Sequence, residues 1–196
     1  MFNGERHIGA RLEVVPMEGW QRGDWFDSTG VAWVNPSPNL RDMVEATLYP
    51  GIGMIEGTNV SVGRGTDTPF EVVGAPWIKG RELATYLNAR GIQSVRFIPI
   101  SFTPSASNFA SQRCEGVNVI ALDRNLLDAT ELGIELASAL HKLYPNDFKI
   151  DKIQDLLANH AVFDGLMAEE DPRRIEQGWQ PRLQQFLEAR KKYLLY

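Results

Sequence analysis

Between residues 55 and 77 the chain reads IEGTNVSVGRGTDTPFEVVGAPW, and no other stretch is as dense in groups that can do chemistry. Glu56 and Glu71 supply carboxylates, and Arg64 stands between Gly63 and Gly65. Thr58, Asn59, Ser61 and Thr66 offer hydroxyl and amide groups that both donate and accept hydrogen bonds. Such a mixture suits a neutral polyol carrying one negative group, with the planar guanidinium as partner for a carboxylate. An internal ion pair between Arg64 and Glu56 or Glu71, with the glycines as turn residues, is the alternative the same spacing allows. Two other chemistries are disfavoured. GRGTDT lacks the G-x-x-x-x-G-K-[ST] spacing of a phosphate loop, and Ser105 has no histidine in a triad-like motif nearby.

These residues need a scaffold. The apolar run at 52–55 and the β-branched run at 70–73 predict a polar loop held between two strands. A strand is also expected over 11–17, stopped by Pro16, and another around Val95, Phe97 and Ile98, central because both faces read as apolar. Helices are predicted from the Asn39 cap to about Tyr49, ended by Pro50 and Gly51, and over 81–90, ended by Gly91. Asp128 caps a third, whose Leu132, Leu136, Leu140 and Leu143 form a core stripe. Shorter helices follow over 151–160, with a turn at 164–166, then over 172–177 and onward from Pro181. Phe102, Pro104 and Phe109 are expected to pack down a second polar loop over 101–116, leaving Ser105, Ser107 and Asn108 on a solvated surface loop or, as the alternative, facing a ligand. The fold class is therefore α+β, with a mixed or antiparallel sheet and a helical C-terminal third. Trp20, Trp25 and Trp33 lie in a stretch without periodicity, where they either pin the chain to a core or offer a ring face to a sugar.

With 196 residues, 43% of them hydrophobic, the chain is expected to form one domain. A formal charge of −5 argues against a nucleic-acid partner. Cys114 is the single cysteine, so no internal disulfide forms, and His7, His141 and His160 lack metal-ligand spacing. No metal and no cofactor is called for. No apolar run is long enough to span a membrane, and the polar start shows no signal peptide.

The ordered strings PSPN at 36–39, YPG at 49–51, EGTN at 56–59, GRGT at 63–66, PFE at 69–71 and GAPW at 74–77 resemble the C-terminal half of the bacterial exo-β-N-acetylmuramidases. CEGV at 114–117, LYP at 143–145 and KYLLY at 192–196 extend the resemblance over nearly the whole chain. It implies a glycoside hydrolase that releases N-acetylmuramic acid from the non-reducing end of peptidoglycan fragments. It also implies a partner: an N-terminal Rossmann-like domain, carrying the catalytic glutamate, of which residues 1–196 hold no counterpart. Residues 1–5 resemble the sequence just past the domain junction. On this view Arg64 takes the sugar's carboxylate, while Glu56, Thr58, Asn59 and Thr66 bond its hydroxyl or N-acetyl groups. Glu56 is the one acid considered for the second catalytic carboxyl. A non-catalytic docking module that binds no free sugar is the competing reading.

Overall fold

The computed structural model describes residues 1–196. Its helices are α1 (Phe2–Glu5), α2 (Met43–Ile52), α3 (Gly80–Arg90), α4 (Ala129–Leu143), α5 (Gln154–Leu157), α6 (His160–Met167) and α7 (Pro172–Lys191). Its strands are β1 (Val72–Ala75), β2 (Val95–Phe102) and β3 (Cys114–Ala121), antiparallel in the order β1-β3-β2. The expected α+β class, with its helical C-terminal part, is what the chain adopts. Contacts divide it into a larger unit, Trp33–Glu176, and a smaller one made of Met1–Ala32 and Gln177–Tyr196.

The larger unit holds the core. Val73, Val117, Val119 and Phe97 share one sheet face by register, and all are buried. α3 packs across β2 and β3, and α4 packs on α2 and α3. Leu132, Leu136 and Leu140 are fully buried on α4, whose N-cap Asp128 accepts hydrogen bonds from Thr130 and Glu131. α2 and α4 meet at glycines: a Cβ on Gly51 would lie 2.1 Å from the Ala129 carbonyl oxygen, and one on Gly133 2.6 Å from that of Gly51. Gly91 ends α3 in the left-handed region, as its position predicts.

Several expectations are overturned. The polar loop is entered from a helix and not from a strand, because α2 runs through Pro50 to Ile52 and continues as a 3-10 turn over Gly53–Ile55. An interior proline costs about 3 kcal/mol. Full burial of Leu48 and Ile52 returns roughly 1.5–3 kcal/mol each, and the Pro50 ring stays in solvent. The N-cap is Asp42 rather than Asn39, its carboxylate accepting from Val44 and Glu45 at 2.9 Å each. β2 is an edge strand with Ile98 49% exposed, and β3 is central. Residues 151–160 split into a 3-10 turn and α5, ended by Ala158 in the left-handed region, while 164–166 lie inside α6. α7 is continuous through Gly178 and Pro181, carried by the strong helix formers on either side.

In the smaller unit α1 lies by the end of α7: the Tyr193 hydroxyl donates to Glu5 at 2.7 Å, and Lys192 pairs with the same carboxylate. The strand expected over 11–17 does not form. Trp20, half-buried, meets Tyr196 edge-on at 4.9 Å.

Candidate functional site

The loop over 56–71 is built in two tiers. Its lower tier is closed on itself. The buried Thr58 hydroxyl donates to the Ile55 carbonyl at 2.6 Å. Asn59 donates to the Asp147 carbonyl and accepts from the Lys149 amide, both at 2.8 Å, which ties the loop to the stretch after α4. Ser61 and Gly74 exchange backbone hydrogen bonds, extending the sheet by one bridge beside β1. Thr66 donates to the Gly63 carbonyl and accepts from Thr68, closing the turn around Arg64.

The second polar loop, 103–113, locks onto the first. Asn108 donates to the carbonyls of Thr58 and Val60, and Ser105 donates to that of Gly65 through both its amide and its hydroxyl. Gly65 sits at φ +81°, and a Cβ there would lie 2.4 Å from the Ala106 nitrogen. Its missing side chain therefore serves loop-to-loop contact. Pro104 is buried and Phe102 lies against Gly74, so these two apolar anchors act as expected, whereas Ser105 and Asn108 are spent on backbone carbonyls of the first loop. Ser107, Phe109 and Ser111 in this loop, and Phe70 in the first, hold positive φ. Such backbone persists only where its surroundings over-determine it, at roughly 1–3 kcal/mol per residue.

The upper tier carries the charge. Arg64 donates through Nε to Glu56, and its guanidinium lies 5.3 Å from the centre of the Phe70 ring. Tyr49 supports Phe70 edge-on at 4.8 Å. The Arg64 side chain is 33% exposed, and its two terminal nitrogens have no partner within the chain. Of the five residues singled out for the site, the structure brings Glu56 and Arg64 together at the surface, engages Thr58 and Thr66 within the loop, and spends Asn59 on the backbone of Asp147 and Lys149.

Arg41 and its partner Glu45 escaped sequence reasoning, as did the grouping of Asp42 and Glu45 with Glu71. Its guanidinium pairs with Glu45, which is 1% exposed, and also donates to the carbonyls of Thr66 and Asp67. The i,i+4 spacing of Arg41 and Glu45 was the available signal. Asp42, Glu45 and Glu71 bring carboxylate oxygens within 4.8 Å of one another, the one acidic grouping near the loop that has the ligand types for a cation. Burial, then Asp42 and Glu45, push the Glu71 carboxyl above its usual range, and Arg41 opposes them.

Two cavities of the larger unit lie elsewhere. One of about 210 Å³ is bounded by Met43, Thr47 and Leu122, the other, of about 220 Å³, by Tyr86, Arg90 and His141; neither is lined by Glu56 or Arg64. No helix is long and apolar enough to cross a membrane.

The family model described as exo-beta-N-acetylmuramidase NamZ, C-terminal, matches residues 47–196, and the corresponding N-terminal model matches residues 1–44. The peptidoglycan beta-N-acetylmuramidase NamZ of Bacillus subtilis (strain 168) is 39% identical over 100% of this chain and 48% of its own length. Two crystal structures of DUF1343 family proteins from Bacteroides fragilis NCTC 9343 are also similar. One has a TM-score of 0.76 and 25% identity, covering all of this chain and 54% of that one. The other has a TM-score of 0.59 and 30% identity, covering 83% and 43%. The chain thus spans about half the length of the relatives it matches. It belongs to the NamZ exo-β-N-acetylmuramidase family.

Proposed function

We propose that this chain forms one wall of a sugar cleft in an exo-β-N-acetylmuramidase that releases N-acetylmuramic acid from non-reducing ends of peptidoglycan fragments. The other wall, with the catalytic glutamate, comes from the family's N-terminal Rossmann-like region. The observation that carries this reading is the state of Arg64. Glu56 fixes its Nε side and Phe70 supports its face, so the end of the fork is pre-oriented and open. Two parallel N–H donors match a carboxylate, and N-acetylmuramic acid carries one on its lactyl group. Pre-orientation lowers the ordering cost of binding. Glu56 acts here by positioning Arg64; Thr58, Asn59 and Thr66 hold the loop in shape around it. A one-third-exposed arginine at the surface is what one wall of a shared cleft would present.

The test is calorimetric titration of N-acetylmuramic acid into the chain and into its Arg64→Ala variant, with N-acetylglucosamine, which lacks the lactyl carboxylate, as control. Saturable heat with the first sugar only, lost in the variant, supports the cleft wall. Equal weak heats for both sugars, unchanged by the substitution, reject it in favour of a docking role in which Arg64 meets an acid of a partner domain.

A further inference from the structure

From the smaller unit we infer that residues 11–15 are a β-strand that adds to the edge of a sheet in the N-terminal region of a muramidase of this family. The inference rests on family membership and not on the sugar-cleft reading. RLEVV alternates as a strand should, yet the segment is unpaired. From residue 11 to residue 19 no backbone or side-chain group makes a hydrogen bond within the chain. Leu12, Val14, Val15 and Met17 are 65%, 54%, 87% and 54% exposed. Four large apolar side chains in six residues, bare on both faces, are what a strand shows before its sheet is present.

The segment is nonetheless held at its ends. Asn3 bonds both the amide and the carbonyl of Ala10 at 2.9 and 2.8 Å, and Trp20 rests on Tyr196. Between these anchors no backbone group of residues 11–19 is already engaged, so pairing there breaks no hydrogen bond within the chain. Pro16 has no N–H to give and ends the pairing. The rest of the smaller unit makes the same demand: none of its residues is among the buried apolar side chains, while Phe2, Ile8, Val31 and Phe186 are 46–62% exposed. A compact unit without a core of its own needs surface from elsewhere.

The occupant follows from the comparisons. Residues 1–44 match the family's N-terminal model and not its C-terminal one, and the B. subtilis relative has about as much chain again as is matched here. The strand belongs with that additional chain. Its backbone supplies the ladder, with Leu12 and Val14 entering one apolar face of the partner and Val15 the other.

Hydrogen exchange decides the matter. In this chain alone, the amides of residues 12–15 are expected to exchange at unprotected rates. In the intact B. subtilis relative, the amides aligned with them should exchange at least about 100-fold more slowly. Proline at the position aligned with Val14 should abolish that protection and lower the relative's thermal midpoint, whereas Val14→Pro in this chain alone should leave its midpoint unchanged. Fast exchange at the aligned amides of the relative overturns the inference, as does protection that survives the proline. Protection in this chain alone that rises with its concentration also overturns it, because the partner would then be a second copy. None of these readouts involves sugar, so failure here and failure of the cleft wall are separate results.

Discussion

Arg64 and Arg90 both reach a glutamate through Nε, and the resemblance ends there. Arg90 donates Nε and Nη2 to the two oxygens of Glu135 at 2.8 Å, and Nη1 and Nη2 to Asp171 at 3.1 Å. Both forks of that guanidinium are occupied, and Glu135 is 1% exposed. Arg64 makes one ion pair at a surface where Glu56 is itself one-quarter exposed. Nearly the same residue pair therefore does two jobs. The first closes a joint between α3, α4 and the start of α7; the second leaves a fork pointed outward. Occupation of both carboxylate-binding forks, not the presence of an ion pair, separates a structural arginine from one available to a ligand.

The sharpest way to break this contrast is to remove Arg90. Arg90→Met strands Glu135 as a buried carboxylate without its partner, which typically costs 3–5 kcal/mol, so urea unfolding of the variant should show a large drop in midpoint. Arg90 also holds the Asp171 carboxyl below its usual range, chiefly through its hydrogen bond, and that depression should shrink in the variant to what the Arg173 amide and charge sustain. A loss below about 1 kcal/mol would mean that the fully engaged geometry carries no more stability than a surface pair.

How much of this was legible beforehand follows the same physics. Patterns fixed by local chemistry could be read: the Asp128 cap, the Leu132-to-Leu140 stripe, the Gly91 stop and the polar character of 56–71. What could not be read is where tertiary burial overrides a local rule. Pro50 should end a helix and does not, because Leu48, Gly51 and Ile52 sit against α4 on the opposite side. Asn59 and Asn108 looked like ligand donors, since an amide in a loop gives no sign of which backbone it will meet after folding. Residues 11–17 have a strand's pattern, yet a strand needs a neighbour to be one.

The contrast recurs on the acid side with a smaller expected effect. Glu45 has Arg41, whereas the Glu71 side chain makes no hydrogen bond in the chain and faces Asp42 and Glu45. Its carboxyl is raised by burial first and by those two acids second, so the folded state favours the protonated form. That stability is fully present below the ordinary carboxylate value of 4.5 and is lost as pH rises through the elevated one. Glu71→Gln should therefore match the wild type near pH 4 and be more stable at pH 7.5, by paired urea titrations. A variant less stable than the wild type at pH 7.5 would show that the ionised carboxylate has a partner that offsets its burial.

The smallest effect on stability is expected at Arg64. Arg64→Met removes an exposed ion pair worth up to about 1 kcal/mol. It also removes a guanidinium-ring contact worth about 0.5–1 kcal/mol at an exposed site, though the methionine stem still covers part of Phe70. Glu56 stays wet, so no carboxylate is stranded. Unfolding should consequently shift by less than about 2 kcal/mol, while the response to N-acetylmuramic acid disappears. Arg64→Lys keeps the charge but not the fork, and should recover stability without recovering the carboxylate contact. If Arg64→Met instead destabilised the chain as much as Arg90→Met, Arg64 would be a structural arginine and its outward fork an incidental feature of the loop.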